Sequence, residues 1–177
     1  MEHLVLNSFD KEGRYKEILP QIESIISSED DLVANLANVA AILKEAFDFF
    51  WVGFYIVKSK EPPATISGTH LEKEDSNTLE LVLGPFQGPL ACTRIKYGRG
   101  VCGTAWKEAR TLVVPDVEKF PGHIACSSLS RSEIVVPIFT FQDVVAVLDI
   151  DSTELSSFDE VDAKFLEKLT LILSGKF

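Results

Sequence analysis

Apolar residues along the chain change their spacing several times, and each change marks an element. Over residues 10 to 27, Ile18, Ile22, Ile25 and Ile26 form one side of an amphipathic helix that Pro20 starts or interrupts. Ser28 to Asp31 has the form of a capping box, and behind it Leu32, Leu36, Val39, Leu43 and Phe47 repeat at helical spacing. From Trp51 to Val57 the period falls to two, with Trp51, Gly53 and Tyr55 on one strand face and Val52, Phe54 and Ile56 on the other.

Residues 58 to 77 are polar, contain Pro62-Pro63, and predict a long surface loop. Strands are expected at 79 to 83 and 91 to 95, joined by the turn-rich run Gly84 to Pro89. A short helix is expected after Gly103, a strand at 112 to 114, and a loop or helical turn at 116 to 132. Glu133 to Phe139 and Val144 to Asp151 read as an antiparallel hairpin through Phe141-Gln142-Asp143. A last helix is expected from Ser157, with Glu160 completing a second capping box and Val161, Phe165, Leu169 and Ile172 along one side. The order predicts an α+β fold, a central mostly antiparallel sheet with helices packed on one face, without alternating βαβ units. We read residues 1–177 as one domain: helices over 1–48, the sheet with its cysteine loops over 49–155, and a C-terminal helix over 156–177.

Composition narrows the partners. With 177 residues, 46% hydrophobic and 25% charged, the chain is globular rather than disordered. A net charge of -10 argues against nucleic acid and anionic membrane surfaces, which reward clustered Lys and Arg. The N-terminus lacks a secretory pattern and no apolar run reaches the ~20 residues that span a bilayer. The expected compartment is the cytoplasm, with the nucleus reachable by diffusion, where thiols stay reduced unless a disulfide belongs to a catalytic cycle.

That expectation gives weight to Cys92, Cys102 and Cys126, spaced 10 and 24 residues apart beside glycines and turn residues. Gly98 to Gly103 formally matches G-x-G-x-x-G, but no acid ends a following parallel strand, so a dinucleotide site is not expected. Its glycines instead let the backbone fold tightly around Cys102. Zinc held by the cysteines with His123 lacks the closely paired ligands such sites use, so no metal is expected. Three buried thiols acting as small hydrophobes suit Cys92 better than Cys126. The acids are sharper. Asp149 and Asp151 share a strand face, and the hairpin brings Glu133 beside them, gathering three carboxylates at one end of the sheet. Such a cluster attracts an ammonium group, and mutual repulsion raises at least one pKa. Trp51 and Tyr55 could wall the same site, although core packing is their default reading.

The chain resembles the free methionine-(R)-sulfoxide reductases, single GAF-type domains. The resemblance rests on Trp51-Val52-Gly53-Phe54-Tyr55, Leu83 to Gly88, Ala91-Cys92, Gly98 to Gly103, Val114 to Val117, Pro121 to Cys126, Ser132 to Pro137 and Leu148 to Asp151. It implies Cys126 as nucleophile, Cys102 as the main resolving thiol through a Cys102–Cys126 disulfide, and Cys92 as a secondary resolving thiol. Glu133, Asp149 and Asp151 become substrate-binding acids, with Glu133 or Asp151 as proton donor. The implied chemistry needs no bound cofactor; reduced thioredoxin, supplied from NADPH, is the electron donor. A homodimer is compatible with this resemblance. Residues 58 to 77 exceed the connection expected there. Two other functions share features: a GAF sensory module without turnover, and a redox switch that would need the cysteines but not the acids.

Overall fold

The computed structural model describes residues 4–60, 78–124 and 127–177. Helix α1 (Lys11–Ser27) begins at Asp10, whose carboxylate accepts from the Gly13 N–H, and buries Tyr15, Ile18, Ile22 and Ile26. Pro20 neither starts nor interrupts it. The ring sits on the exposed side, and the carbonyl whose helical donor it removes belongs to Lys16, which is also exposed. Ser28 caps the end of α1 and does not open the next helix. Asp31 does that, accepting from the Ala34 N–H at 2.8 Å ahead of α2 (Leu32–Phe47).

Among the described residues six strands follow: β1 (Trp51–Ser59), β2 (Leu79–Gln87), β3 (Arg94–Ile95), β4 (Leu112–Val114), β5 (Ser132–Thr140) and β6 (Asp143–Ser152). They form one sheet in the order β3-β2-β1-β6-β5-β4, with every neighbouring pair antiparallel. β2 continues through Gly84–Gln87, where a turn was expected. β3 pairs with it only at Leu81 and Val82, and the β1 register shifts between Gly53 and Tyr55, so Pro85 owes no ladder hydrogen bond. β3 is shorter than the strand expected at 91 to 95, because only Arg94 and Ile95 pair with β2. The loop expected at 58 to 77 begins later, because β1 runs to Ser59 and the Lys60 N–H donates to the Thr78 carbonyl at 2.8 Å. The rest of it lies outside the described residues.

Helix α3 (Gly100–Glu108) starts before Gly103, and α4 (Glu160–Ser174) is capped by Asp159 with Asp162, not by Ser157 with Glu160. Asp162 is fully buried; it also receives the Tyr15 hydroxyl at 2.9 Å and the Lys11 ammonium, which ties α1 to α4. The three long helices cover one sheet face, where Leu36, Leu43, Phe54, Ile138 and Leu148 lose all solvent contact. Full burial of such a side chain stabilises by about 1.5–3 kcal/mol. The short helix α3 covers the opposite face, packing Val101, Ala105 and Trp106 against Trp51, Tyr55, Val135 and Val147. That second face holds the chemistry. No helix among the described residues is long and apolar enough to cross a membrane.

Candidate active site

Strand register builds the site. Residues directly opposite in an antiparallel pair share a face. Glu133 of β5 stands opposite Asp151 of β6, and Asp149 follows two residues along the same strand. On the other side of β6, Trp51 stands opposite Asp151 and Gly53 opposite Asp149. All therefore project towards α3, which presents Cys102 from its first turn. The cleft between sheet, helix and the 120s loop is narrow and partly open to solvent, with a cavity volume of about 40 Å³. Its lining includes Trp51, Tyr55, Cys102, Glu133, Asp149 and Asp151, so the acids and aromatics expected from the sequence meet in one place.

Two glycines make the walls possible. A Cβ at Gly53 would lie 2.3 Å from the Trp51 ring and 2.5 Å from Phe86 Cβ, so the indole can lie flat only over glycine. Trp51 then stacks on Phe86 with centroids 5.5 Å apart and donates Nε1–H to the Pro89 carbonyl at 3.1 Å. Tyr55 donates its hydroxyl to the Cys92 carbonyl at 3.0 Å. A Cβ at Gly103 would come within 2.4 Å of the Lys96 carbonyl, so glycine there lets α3 settle close under the cleft.

Burial dominates the electrostatics. Glu133 and Asp149 are 6% and 7% exposed, and desolvation pushes both carboxyls well above the usual range, with repulsion among the three acids adding to it. Desolvation lifts Asp151 to about 6, tempered by a hydrogen bond from Ser130. Asp149 sits beside Cys102 and Glu133, with one donor atom of each within 4.8 Å of the other two, yet its buried Oδ1 has no partner among the described residues. Desolvation and then the Asp149 and Glu133 charges push the Cys102 thiol well above its ordinary value. Cys102 Sγ lies 4.0 Å from Glu133 Oε1. Burial lowers the pKa of His123, which lines the cleft as a neutral ring.

The cysteines divide differently from the implied scheme. Cys92 is disulfide-bonded, whereas Cys102 is a free thiol 3% exposed. The disulfide of this structure therefore does not involve Cys102. Its position among buried carboxylates explains this, because they hold it protonated, opposite to the thiolate that disulfide exchange needs. Cys126 lies outside the described residues.

Sequence reasoning placed Cys102 in the site but missed Ser130 and the neighbours of Cys102 at the start of α3, Arg99, Gly100 and Val101. Arg99 to Cys102 line the cleft, and no side chain caps that helix, which leaves N–H donors and the positive dipole end at the cavity. The Gly-Arg-Gly run before an apolar helix was the available signal. A cleft with acids at one side and an uncapped helix start at another suits a small zwitterion beside a thiol.

Comparison with known proteins agrees in kind. The family model described as "GAF domain" matches residues 31–175. "GAF domain-containing protein A" of Dictyostelium discoideum is 53% identical, over 98% of this chain and 99% of that protein. The "Free methionine-R-sulfoxide reductase" of Saccharomyces cerevisiae is 38% identical, over 95% and 88%. A crystal structure of free methionine-R-sulfoxide reductase from Neisseria meningitidis with its substrate superposes with a TM-score of 0.87 at 54% identity, covering 100% of this chain and 96% of that one. With likeness of this extent, the chain belongs to the GAF-domain family and, within it, to the free methionine-R-sulfoxide reductases.

Proposed function

We propose that the protein reduces free methionine-(R)-sulfoxide to methionine with its own thiols. The observation that carries this reading is the buried, unpartnered Oδ1 of Asp149 among three carboxylates in a cleft walled by Trp51 and Tyr55. A buried carboxylate oxygen without a partner calls for a cation, and the α-ammonium of a free amino acid supplies one. A methionine sulfoxide residue within a protein has a neutral amide there and would leave the acids uncompensated, so it is rejected. The first-turn N–H groups of α3 receive the α-carboxylate, and the aromatic wall receives the thioether carbons.

The acids divide the proton work. Glu133, whose carboxyl burial and the neighbouring acids hold well above the usual range, donates its proton to the sulfoxide oxygen, while Asp151, ionised above about 6, pairs with the ammonium. Cys126 attacks the sulfoxide sulfur; the S–O bond breaks, methionine leaves, and Cys126 carries the oxygen as a sulfenic acid. Cys92 then condenses with it, forming a disulfide and releasing water. This replaces Cys102 as the resolving thiol and is supported by Cys92 being the disulfide-bonded residue and Cys102 the free one. A thioredoxin-type dithiol reduces the disulfide and restores both thiols. Cys102 stays protonated and donates to the acid cluster.

The test is thioredoxin-coupled NADPH consumption with free methionine-(R)-sulfoxide, its S epimer and the N-acetyl analogue. Turnover of the free R form alone is the expected result. No turnover of any of them, with an active coupling system, would leave a sensory or redox-switch domain. Cys126→Ser abolishes turnover, Cys92→Ser permits one turnover per chain, and Cys102→Ser retains recycling.

A further inference from the structure

We propose that the floor of the cleft is also a binding site for a borderline-soft divalent metal ion such as Zn²⁺, held by Cys102 Sγ with one oxygen each from Glu133 and Asp149. One donor atom from each of these residues lies within 4.8 Å of the other two, and the Cys102–Glu133 pair is 4.0 Å apart. Tetrahedral zinc with thiolate and carboxylate ligands needs donor separations of about 3.5 Å, so the triad has to contract by about 1 Å. The second observation is the Asp149 side chain itself: it lines the cleft, is 7% exposed, and its buried Oδ1 is unpartnered among the described residues.

The donor set decides the kind of ion. One thiolate and two carboxylates favour Zn²⁺ or Co²⁺ over Mg²⁺ and Ca²⁺, which prefer all-oxygen cages. A dication also removes the mutual repulsion that these buried groups otherwise avoid by holding protons. The three ligands come from α3, β5 and β6, so they show no short-spaced ligand motif, unlike the cysteine-paired sites recognised from sequence. The fourth position opens to the cleft. The ion and a substrate ammonium then claim the same carboxylates, so each excludes the other; this consequence alone rests on the proposed reductase reading.

Co²⁺ is the probe, added to protein with its Cys92 disulfide intact so that Cys102 supplies the thiolate. One equivalent per chain should bind with a thiolate-to-cobalt charge-transfer band. Cys102→Ser should remove the band, and Asp149→Asn, which deletes a buried charge and preserves shape, should weaken binding at least tenfold. Circular dichroism checks that both variants fold. No charge-transfer band at millimolar Co²⁺, or a band that survives Cys102→Ser, overturns the site. Free methionine should release the bound Co²⁺; if methionine binds the metal-free protein but does not displace the ion, shared occupancy is overturned. The titration involves no turnover, so it fails or succeeds separately from the reductase assay.

Discussion

The Tyr55 hydroxyl donates to the backbone carbonyl of Cys92 across 3.0 Å, linking the aromatic wall on β1 to the segment that carries the disulfide. Tyr55 is 1% exposed, and burial pushes its phenol pKa far upward, so the donor proton is held throughout the accessible pH range. Tyr55→Phe keeps the ring and loses that bond. We expect a loss of about 1 kcal/mol and a fall of about 2–4 °C in Tm. Regeneration should slow more than the first turnover. An unchanged melting temperature and unchanged regeneration would remove this role.

Asp151 gives a stability prediction with a defined sign. Its folded pKa of about 6 lies above the ordinary 3.8, so the native state binds more protons between those values and stability falls as pH rises through that window. Asp151→Asn removes the penalty. It should stabilise the protein at pH 7.5 by up to about 3 kcal/mol and change little below pH 4. Urea denaturation at the two pH values reads the difference, and equal effects at both would refute it.

The same titration controls ligand affinity in the opposite direction. Asp151 is an anion above about 6 and loses its charge as pH falls through that value. Binding of free methionine should weaken about tenfold between pH 7.5 and pH 5. Calorimetry at both pH values measures it, and a flat profile would mean that Asp151 does not meet the ammonium.

Gly53 is the point where packing and chemistry meet. An added Cβ would strike the Trp51 ring and the Phe86 Cβ, neither of which can swing aside. Gly53→Ala should cost about 1–3 kcal/mol and raise KM by displacing the indole. A variant with wild-type KM and stability would show that the wall tolerates movement.

Ala109 ends α3 in the left-handed region, at φ 50°. Ala109→Gly should stabilise by about 0.5–1 kcal/mol without altering turnover. Thermal melting checks it.

Much of this was legible in the residues themselves. The two-residue period placed Asp149 and Asp151 on one face, and the hairpin brought Glu133 opposite Asp151 as expected. The helix faces carrying Ile18, Leu36 and Phe165 followed from 3.6-residue spacing. Caps were misplaced by a few residues because Ser28 and Ser157 offer the same side-chain chemistry as Asp31 and Asp159, and only packing selects among them. The strand through Pro85 was hidden because a proline looks like a turn unless the local strand edge is known to be unpaired. The division between Cys92 and Cys102 depends on burial and neighbouring charge, which spacing alone does not carry. Ser130 and the open start of α3 belong to the site only through tertiary approach.

The backbone bond between Lys60 and Thr78 joins the two chain ends flanking residues 61–77. Lys60 stands one residue past the end of β1 and five beyond Tyr55, about 17 Å from the aromatic wall at strand spacing. This makes the junction a natural place for a tag. A label carried at Lys60 or Thr78 lies just past the first rung of the β1–β2 ladder, Ser59 opposite Leu79, so it leaves that register intact. The protein thus offers an attachment point for immobilisation or labelling that leaves the catalytic cleft free to work.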